Sequence, residues 1–269
     1  MPCYICQTCG VQHAASEQPP ERCAICDDER QYVGWGGQRW TTLEALRADH
    51  SNRIEEEAPG LAEIGTEPGF AIGQRALLVA APGGNILWDA ISLLDDATVE
   101  AVRARGGIAA IAVSHPHFYA SMVEWSRAFG GAPIWLHADD RQWVMRPDAA
   151  IVFWEGETRQ IGEGVMLIRC GGHFAGSAAL HWAAGAGGRG ALLTGDTIKV
   201  SLDKRWVSFM RSYPNLIPLS AAAVRRIVEA VAPFDFERIY GGWWDHIVRE
   251  DAKGAVARSA ARYLKAIGQ

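Results

Sequence analysis

Five of the six cysteines in this 269-residue chain fall within its first 26 positions, in the pattern Cys6-x-x-Cys9 followed by Cys23-x-x-Cys26. Thiolates two residues apart on a tight turn can both face one ion, and two such turns complete a tetrahedron. Gly10, directly after Cys9, suits the turn, because backbone N–H groups must face the sulfurs. Cys3 also stands in Cys-x-x-Cys spacing with Cys6, but the Gly follows Cys9, so Cys3 is read as spare. Met1 leads straight into these cysteines without a basic segment or an apolar run of signal-peptide type. The expectation is therefore reduced cysteines on a metal, and a cytoplasmic protein, rather than disulfides.

The segment 1–33 is polar and ends at the joint Gly34-Trp35-Gly36-Gly37. Two units are expected, a four-cysteine unit over 1–35 and a larger domain over 36–269. A unit that small buries little apolar surface, so its metal would supply much of its folding free energy. The run Tyr4-Ile5-Cys6-Gln7-Thr8-Cys9-Gly10 … Pro20-Glu21-Arg22-Cys23-Ala24-Ile25-Cys26 resembles the rubredoxin-type or zinc-ribbon domain of rubrerythrins. It departs from that pattern at Ala24, where Pro is usual, and at Asp27, where Gly is usual. Zinc and iron both stay open.

Beyond residue 70, short apolar runs alternate with amphipathic stretches. Strands are expected at Ala76–Ala80, Ile86–Trp88, Ile108–Val113, Ile134–Leu136, Ala150–Trp154, Val165–Ile168, Ala179–Trp182, Ala191–Leu193 and Arg238–Tyr240. Helices are expected at Asp96–Arg105, Ser121–Phe129, Ser220–Val231 and Asp251–Ile267. Thr41-x-x-Glu44 and Ser121-x-x-Glu124 read as capping boxes, and Ala183–Gly190 as a loop between strands. The pattern is that of an α/β protein with stacked sheets and helices outside.

Four strands run into metal-capable residues: Ser114-His115-Pro116-His117, Cys170-Gly171-Gly172-His173, Thr194-Gly195-Asp196 and Gly241-Gly242-Trp243-Trp244-Asp245-His246. Strand ends in layered folds gather at one rim, so these groups are expected to converge. Imidazoles beside a carboxylate suit zinc, iron or manganese.

These motifs, with Gly84-Asn85-Ile86-Leu87-Trp88-Asp89 and Gly172-His173-Phe174-Ala175-Gly176-Ser177, resemble the metallo-β-lactamase superfamily over roughly residues 65–250. The resemblance implies a four-layer αββα sandwich behind the small cysteine knot. It assigns His115, His117 and His173 to one metal ion, with Asp196 completing the set. Asp89 matches a position that supports such sites without ligating them. The chain departs where the family has Asp-His after the first pair, because Tyr119-Ala120 stand there. A His does not directly follow Gly242, and the nearest is His246. One ion is therefore expected rather than two.

The implied activity is hydrolysis of a small molecule by a metal-activated water. In that reading Asp196 orients or deprotonates the water, and Tyr119 and His246 stabilise charge or protonate the leaving group. Two alternatives stand beside it. One is a mononuclear iron oxidoreductase like the persulfide dioxygenases of the superfamily, with His115, His173 and Asp196 as a facial triad and a rubredoxin-type electron relay. The other is a non-catalytic metal-binding module.

Other residues receive plainer readings. His13, His50 and His181 are structural or solvated, His137 at most supports the rim, and Cys170 is an inert buried thiol. Asp139 and Asp140 are expected to cap the following helix. Among the 11 Trp and other aromatics, some of Trp206, Phe209, Tyr213, Trp243 and Trp244 are expected to wall a pocket. Lys plus Arg is 26 against 31 acidic residues, with no basic run, so a nucleic-acid partner is not expected. No apolar run reaches membrane-span length, so neither is a membrane partner.

Overall fold

A computed structural model describes all 269 residues. Three antiparallel strands, β1 (Cys3–Cys6), β2 (Gln12–Ala15) and β3 (Trp40–Thr42), form a small sheet in the order β2-β1-β3. β3 lies beyond the Gly34–Gly37 joint and pairs Thr41 with Ile5, so the chain returns to the cysteine unit before leaving it.

The first large sheet holds β4 (Ser51–Ala58), β5 (Leu61–Glu67), β6 (Arg75–Val79), β7 (Ile86–Trp88), β8 (Ala110–Ala112), β9 (Ile134–His137) and β10 (Ile151–Trp154), neighbours in chain order. The second is built from β11 (Thr158–Gly162), β12 (Val165–Arg169), β13 (Ala178–Trp182) and β14 (Ala191–Thr194). Two short ribbons follow, β15 (Lys199–Val200) with β16 (Val207–Ser208), and β17 (Met210–Ser212) with β18 (Ile217–Pro218). β19 (Arg238–Tyr240) and β20 (Ile247–Val248) then complete the second sheet beside β14.

Each large sheet is buried on both faces, which is why its central strands read as unbroken apolar runs. Along β6, Leu77 and Val79 point between the sheets while Ala76 and Leu78 point outward. Along β14, Leu193 faces the inter-sheet layer and Leu192 the helices. Helices Ala221–Val231 and Ala252–Ala266 cover the second sheet. Helices Asp96–Ala104 and Met122–Ala128 cover the first, and the four cysteines pack into that same outer layer with Ile91, Leu94 and Phe118. The result is the expected four-layer αββα sandwich, with the cysteine unit built into one helical layer. No helix is long and apolar enough to cross a membrane.

Every expected strand and helix is present, with ends moved by a residue or two, and Ala183–Gly190 joins β13 to β14 as a loop. β4 and β5 escaped the sequence reading. The sequence Ser-Asn-Arg-Ile-Glu-Glu-Glu-Ala of β4 is a charged, largely exposed edge strand, a composition that guards an edge rather than marking a core.

Both capping expectations need correction. Thr42, not Thr41, caps its helix, accepting from Ala45 N–H at 3.2 Å. Ser121 makes no capping bond, and its hydroxyl is buried without a partner. Glu124 turns instead to Arg146 at 2.6 Å. The reciprocal box loses to a buried guanidinium that needs an acid.

Candidate metal centre

The ligand-bearing residues sit where the two large sheets meet at one rim. His115 follows β8 and opens the 3₁₀ turn Pro116–Phe118 that carries His117. His173 follows β12 through Gly171 and Gly172, and Asp196 follows β14. Gly195 is required for space: a Cβ there would collide with Ser114 Oγ and His115 Nδ1.

The structure brings these four together. His117 Nδ1 lies 3.2 Å from His173 Nε2, and Asp196 Oδ2 lies 3.7 Å from His115 Nε2 and 3.8 Å from His173 Nε2. Tetrahedral bonds of 2.0–2.2 Å would place ligand atoms about 3.3–3.6 Å apart. All four residues are buried, and His115 Nε2 and Asp196 Oδ1 have no hydrogen-bond partner. Buried polar atoms are seldom left so, and a shared cation is what this donor set fits.

The outer nitrogens of His173 and His115 are committed elsewhere, while His117 Nε2 is buried without a partner. His173 Nδ1 donates to Met210 O at 3.1 Å, leaving Nε2 as the lone pair facing inward. His115 Nδ1 meets Ser114 Oγ at 2.8 Å, and the Ser114 N–H donates to Asp89 Oδ1 at 2.7 Å. Asp89 therefore holds the strand end that aims His115. Burial pushes its carboxyl up to about 7, against the pull of the Ser114 N–H. Burial likewise drives His115 and His117 well below the ordinary imidazole range, with the neighbouring histidines adding to it. Neutral imidazoles are the form that ligates.

Lys199 carried no sequence signal, and the part that Asp140 plays at the site was not legible either. Lys199 holds its ammonium 3.4 Å from Asp196 Oδ1, over the rings of Trp243 at 3.6 Å and Tyr213 at 4.3 Å. The Tyr213 hydroxyl donates to Asp196 O at 3.1 Å. Asp140 accepts from Gly176 N–H at 2.8 Å, pinning the loop that carries His173. Asp140 does not cap a helix as expected. The cap is His137, whose Nδ1 accepts from Asp139 N–H, while Asp139 pairs with Arg169.

Tyr119 is buried in the outer layer with the cysteines, its hydroxyl makes no hydrogen bond within the protein, and its phenol is pushed well above the usual range by burial. His246 lies outside the four-residue group, its ring 6.0 Å from Trp243 and its Nδ1 on Trp244 O at 3.0 Å. His137 packs on Trp154 and bonds Gly156 O. Cys170 is fully buried, its thiol pushed up to about 12 by burial. Of the aromatics, Tyr213 and Trp243 stand at the site. Trp206 stacks on Arg262, Phe209 packs on Tyr263, and Trp244 lies under Arg53, all away from it.

The second cluster is Cys6, Cys9, Cys23 and Cys26. Sγ separations of 3.6 Å (Cys6–Cys26) and 3.8 Å (Cys9–Cys23) are far too long for disulfides, and they match the roughly 3.8 Å edge of a tetrahedron with 2.3 Å metal–sulfur bonds. Thr8 N–H and Gln38 Nε2 donate to Cys6 Sγ, and Cys3 lies outside the group. Gly10, at φ +83°, lets its own carbonyl accept from Ser92 Oγ at 2.7 Å; a Cβ would strike that hydroxyl.

The unit spans the rim that holds the histidines. Gln12 N–H donates to Ala120 O at 3.0 Å, beside the His117 loop. On the other side Arg211 pairs with Glu29, and Asn215 Nδ2 donates to the carbonyls of Glu29 and Gln31.

No protein-family model matches the chain. Metallo-β-lactamase DIM-1 superposes with a TM-score of 0.61 at 14% identity, covering 80% of this chain and 98% of its own. A Cronobacter sakazakii metallo-β-lactamase with a HARLDQ motif gives a TM-score of 0.51 at 17% identity, covering 82% of this chain and 95% of its own. Those likenesses establish the metallo-β-lactamase fold. The uncharacterized protein YmaE of Bacillus subtilis strain 168 is 52% identical over 269 residues, covering 99% of this chain and 97% of its own. The match spans the cysteine unit as well as the sandwich, and the chain belongs to the same family as YmaE, a family with the metallo-β-lactamase fold.

Proposed function

We propose that the chain is a metal-dependent hydrolase of a small molecule, working at His115, His117, His173 and Asp196. The observation that carries this reading is the convergence of three buried imidazoles and one carboxylate at separations of 3.2–3.8 Å, with the inward-facing His115 Nε2 left without a hydrogen-bond partner. A divalent ion bound there supplies Lewis acidity, which acidifies a water and polarises a scissile carbonyl or phosphoryl oxygen.

The chain's own residues then divide the remaining work. Asp196 would help to hold the ion and orients or deprotonates the attacking water, while Lys199, 3.4 Å from its Oδ1, balances its charge. The Tyr119 hydroxyl, free of protein partners, donates to the developing oxyanion, and His246 protonates the leaving group from the rim. Serving one ion, the site takes a small substrate rather than a nucleic acid or a membrane.

Metal analysis of the purified full chain tests the reading. The expected result is one ion at the cysteines and one at the histidines, the latter selectively weakened by Asp196→Asn along with turnover. A fully loaded protein whose Asp196→Asn variant keeps both ions and its activity would overturn it.

One observation favours a second reading as an iron oxidoreductase. The cluster of Cys6, Cys9, Cys23 and Cys26 shares a buried layer with Phe118, the residue that follows His117. His115, His173 and Asp196 would then be the facial triad and the cysteine centre an electron relay. Iron at both sites, instead of zinc, is the result that selects this reading. The same metal analysis decides it.

A further inference from the structure

We propose that Arg30, carried by the cysteine unit, binds an oxyanion of the substrate at the histidine site. The sandwich fold would then supply the metal ligands, and the appended unit would supply substrate selection. This deepens the hydrolase reading and rests on it.

The backbone around Arg30 is held in place by the turn Ser212–Asn215 of the larger domain. Its carbonyl accepts from Ser212 Oγ at 3.0 Å, and Asn215 fixes the carbonyls on either side of it, Glu29 O at 2.9 Å and Gln31 O at 2.8 Å. The side chain is only 11% exposed. Its guanidinium lies 4.2 Å over the ring of Phe174, the residue after His173. That same ring is 5.0 Å from the imidazole of His117 and 5.2 Å from that of His173. One aromatic shelf therefore carries the guanidinium and two of the metal ligands.

The hydrogen bonding of Arg30 is incomplete. Nη1 meets Asp28 Oδ1 at 2.8 Å, while Nε is buried with no partner. Of the two other nearby acids, Asp140 accepts from Gly176 N–H through Oδ1 and Glu29 pairs with Arg211. A buried guanidinium edge left open is costly unless something fills it. Its planar fork matches a carboxylate or a phosphate, which can accept two parallel N–H bonds. A pin that merely docked the unit on Phe174 would need the stack, and would gain nothing from burying an unpaired Nε.

The test is calorimetric titration of metal-replete, full-length protein with inorganic phosphate and, in a separate arm, with acetate. Wild type is expected to bind at least one of them, and whichever binds more tightly identifies the oxyanion as phosphoryl or carboxylate. Arg30→Gln keeps a planar amide for the stack; it should retain both metals and weaken that binding by about ten- to a hundredfold. Equal affinity in wild type and Arg30→Gln, or no binding of either anion to wild type, overturns the proposal. Should the variant lose its cysteine metal, a crystal structure of wild type grown with phosphate decides instead. An oxyanion within hydrogen-bonding distance of Arg30 Nε is expected, and one bound only away from Arg30 overturns the inference. Absence of metal from the histidines of wild type is a different failure. It would sink the hydrolase reading, and the anion titrations would still judge Arg30 on their own.

Discussion

His173 Nε2 and His117 Nδ1 stand 3.2 Å apart across the centre of the histidine cluster. Met210 O accepts a hydrogen bond from the far nitrogen of His173, so the near one carries a lone pair. That separation suits one edge of a metal's coordination shell, and without an ion a proton can bridge the same pair. The site is thus built to exchange protons for a cation, and the groups that orient the ligand imidazoles, Met210 O at His173 and Ser114 Oγ at His115, matter as much as the ligands.

Ser114→Ala tests that dependence. It removes the hydroxyl beside His115 Nδ1 while leaving the ligand itself. Metal affinity at the histidines should fall about 10- to 100-fold in chelator competition, with the cysteine metal untouched. Unchanged affinity would mean that packing against Phe118, 4.4 Å away, already orients the ring.

Cys23→Ser should lose one metal equivalent. The sequence alone implied that only residues 1–33 would then unfold. The structure places the cysteines in one buried layer with Ile91, Leu94 and Phe118, so the damage should spread. Scanning calorimetry should show the main transition lowered by about 5–15 °C. A main transition at the parent temperature would show the two units to be energetically independent.

Tyr119→Phe should leave both metals and the fold in place, because the hydroxyl makes no hydrogen bond within the protein and the ring still fills its buried space. If the phenol serves the reaction, kcat should drop roughly ten- to a thousandfold with KM little changed. Turnover at the parent rate would assign Tyr119 to packing.

Asp140→Asn should reverse a pH dependence. Burial pushes the Asp140 carboxyl up to about 7, so the folded state holds a proton that the unfolded chain releases near pH 4. Between those values the folded state binds more protons, and this group's contribution to stability falls as pH rises, by about 1.4 kcal/mol per unit. Its stabilising contribution is complete below pH 4 and lost above 7. Asn can still accept from Gly176 N–H, so the variant should gain Tm relative to wild type on going from pH 5 to pH 8. A constant difference across that range would show that Asp140 does not titrate there.

Much of this protein was legible in its residues taken in order. Apolar runs doubly buried in a sandwich carry their own signature, so the strands that end at His115, His173 and Asp196 could be read directly. Cys-x-x-Cys spacing likewise identified four sulfurs whose approach depends mainly on two local turns. Edge strand β4 was invisible because its charges serve to keep it apart from other chains. The failed cap at Ser121 was invisible because Glu124 answers to Arg146, whose place is set by a fold contact and not by neighbours in sequence. The roles of Arg30, Asp140 and Lys199 were hidden for the same reason. Local pattern decides which segments become strands and which residues end them. Only the docking of the cysteine unit across the rim decides which charges face the metal ligands, because those contacts join residues more than a hundred positions apart, such as Arg30 and Phe174.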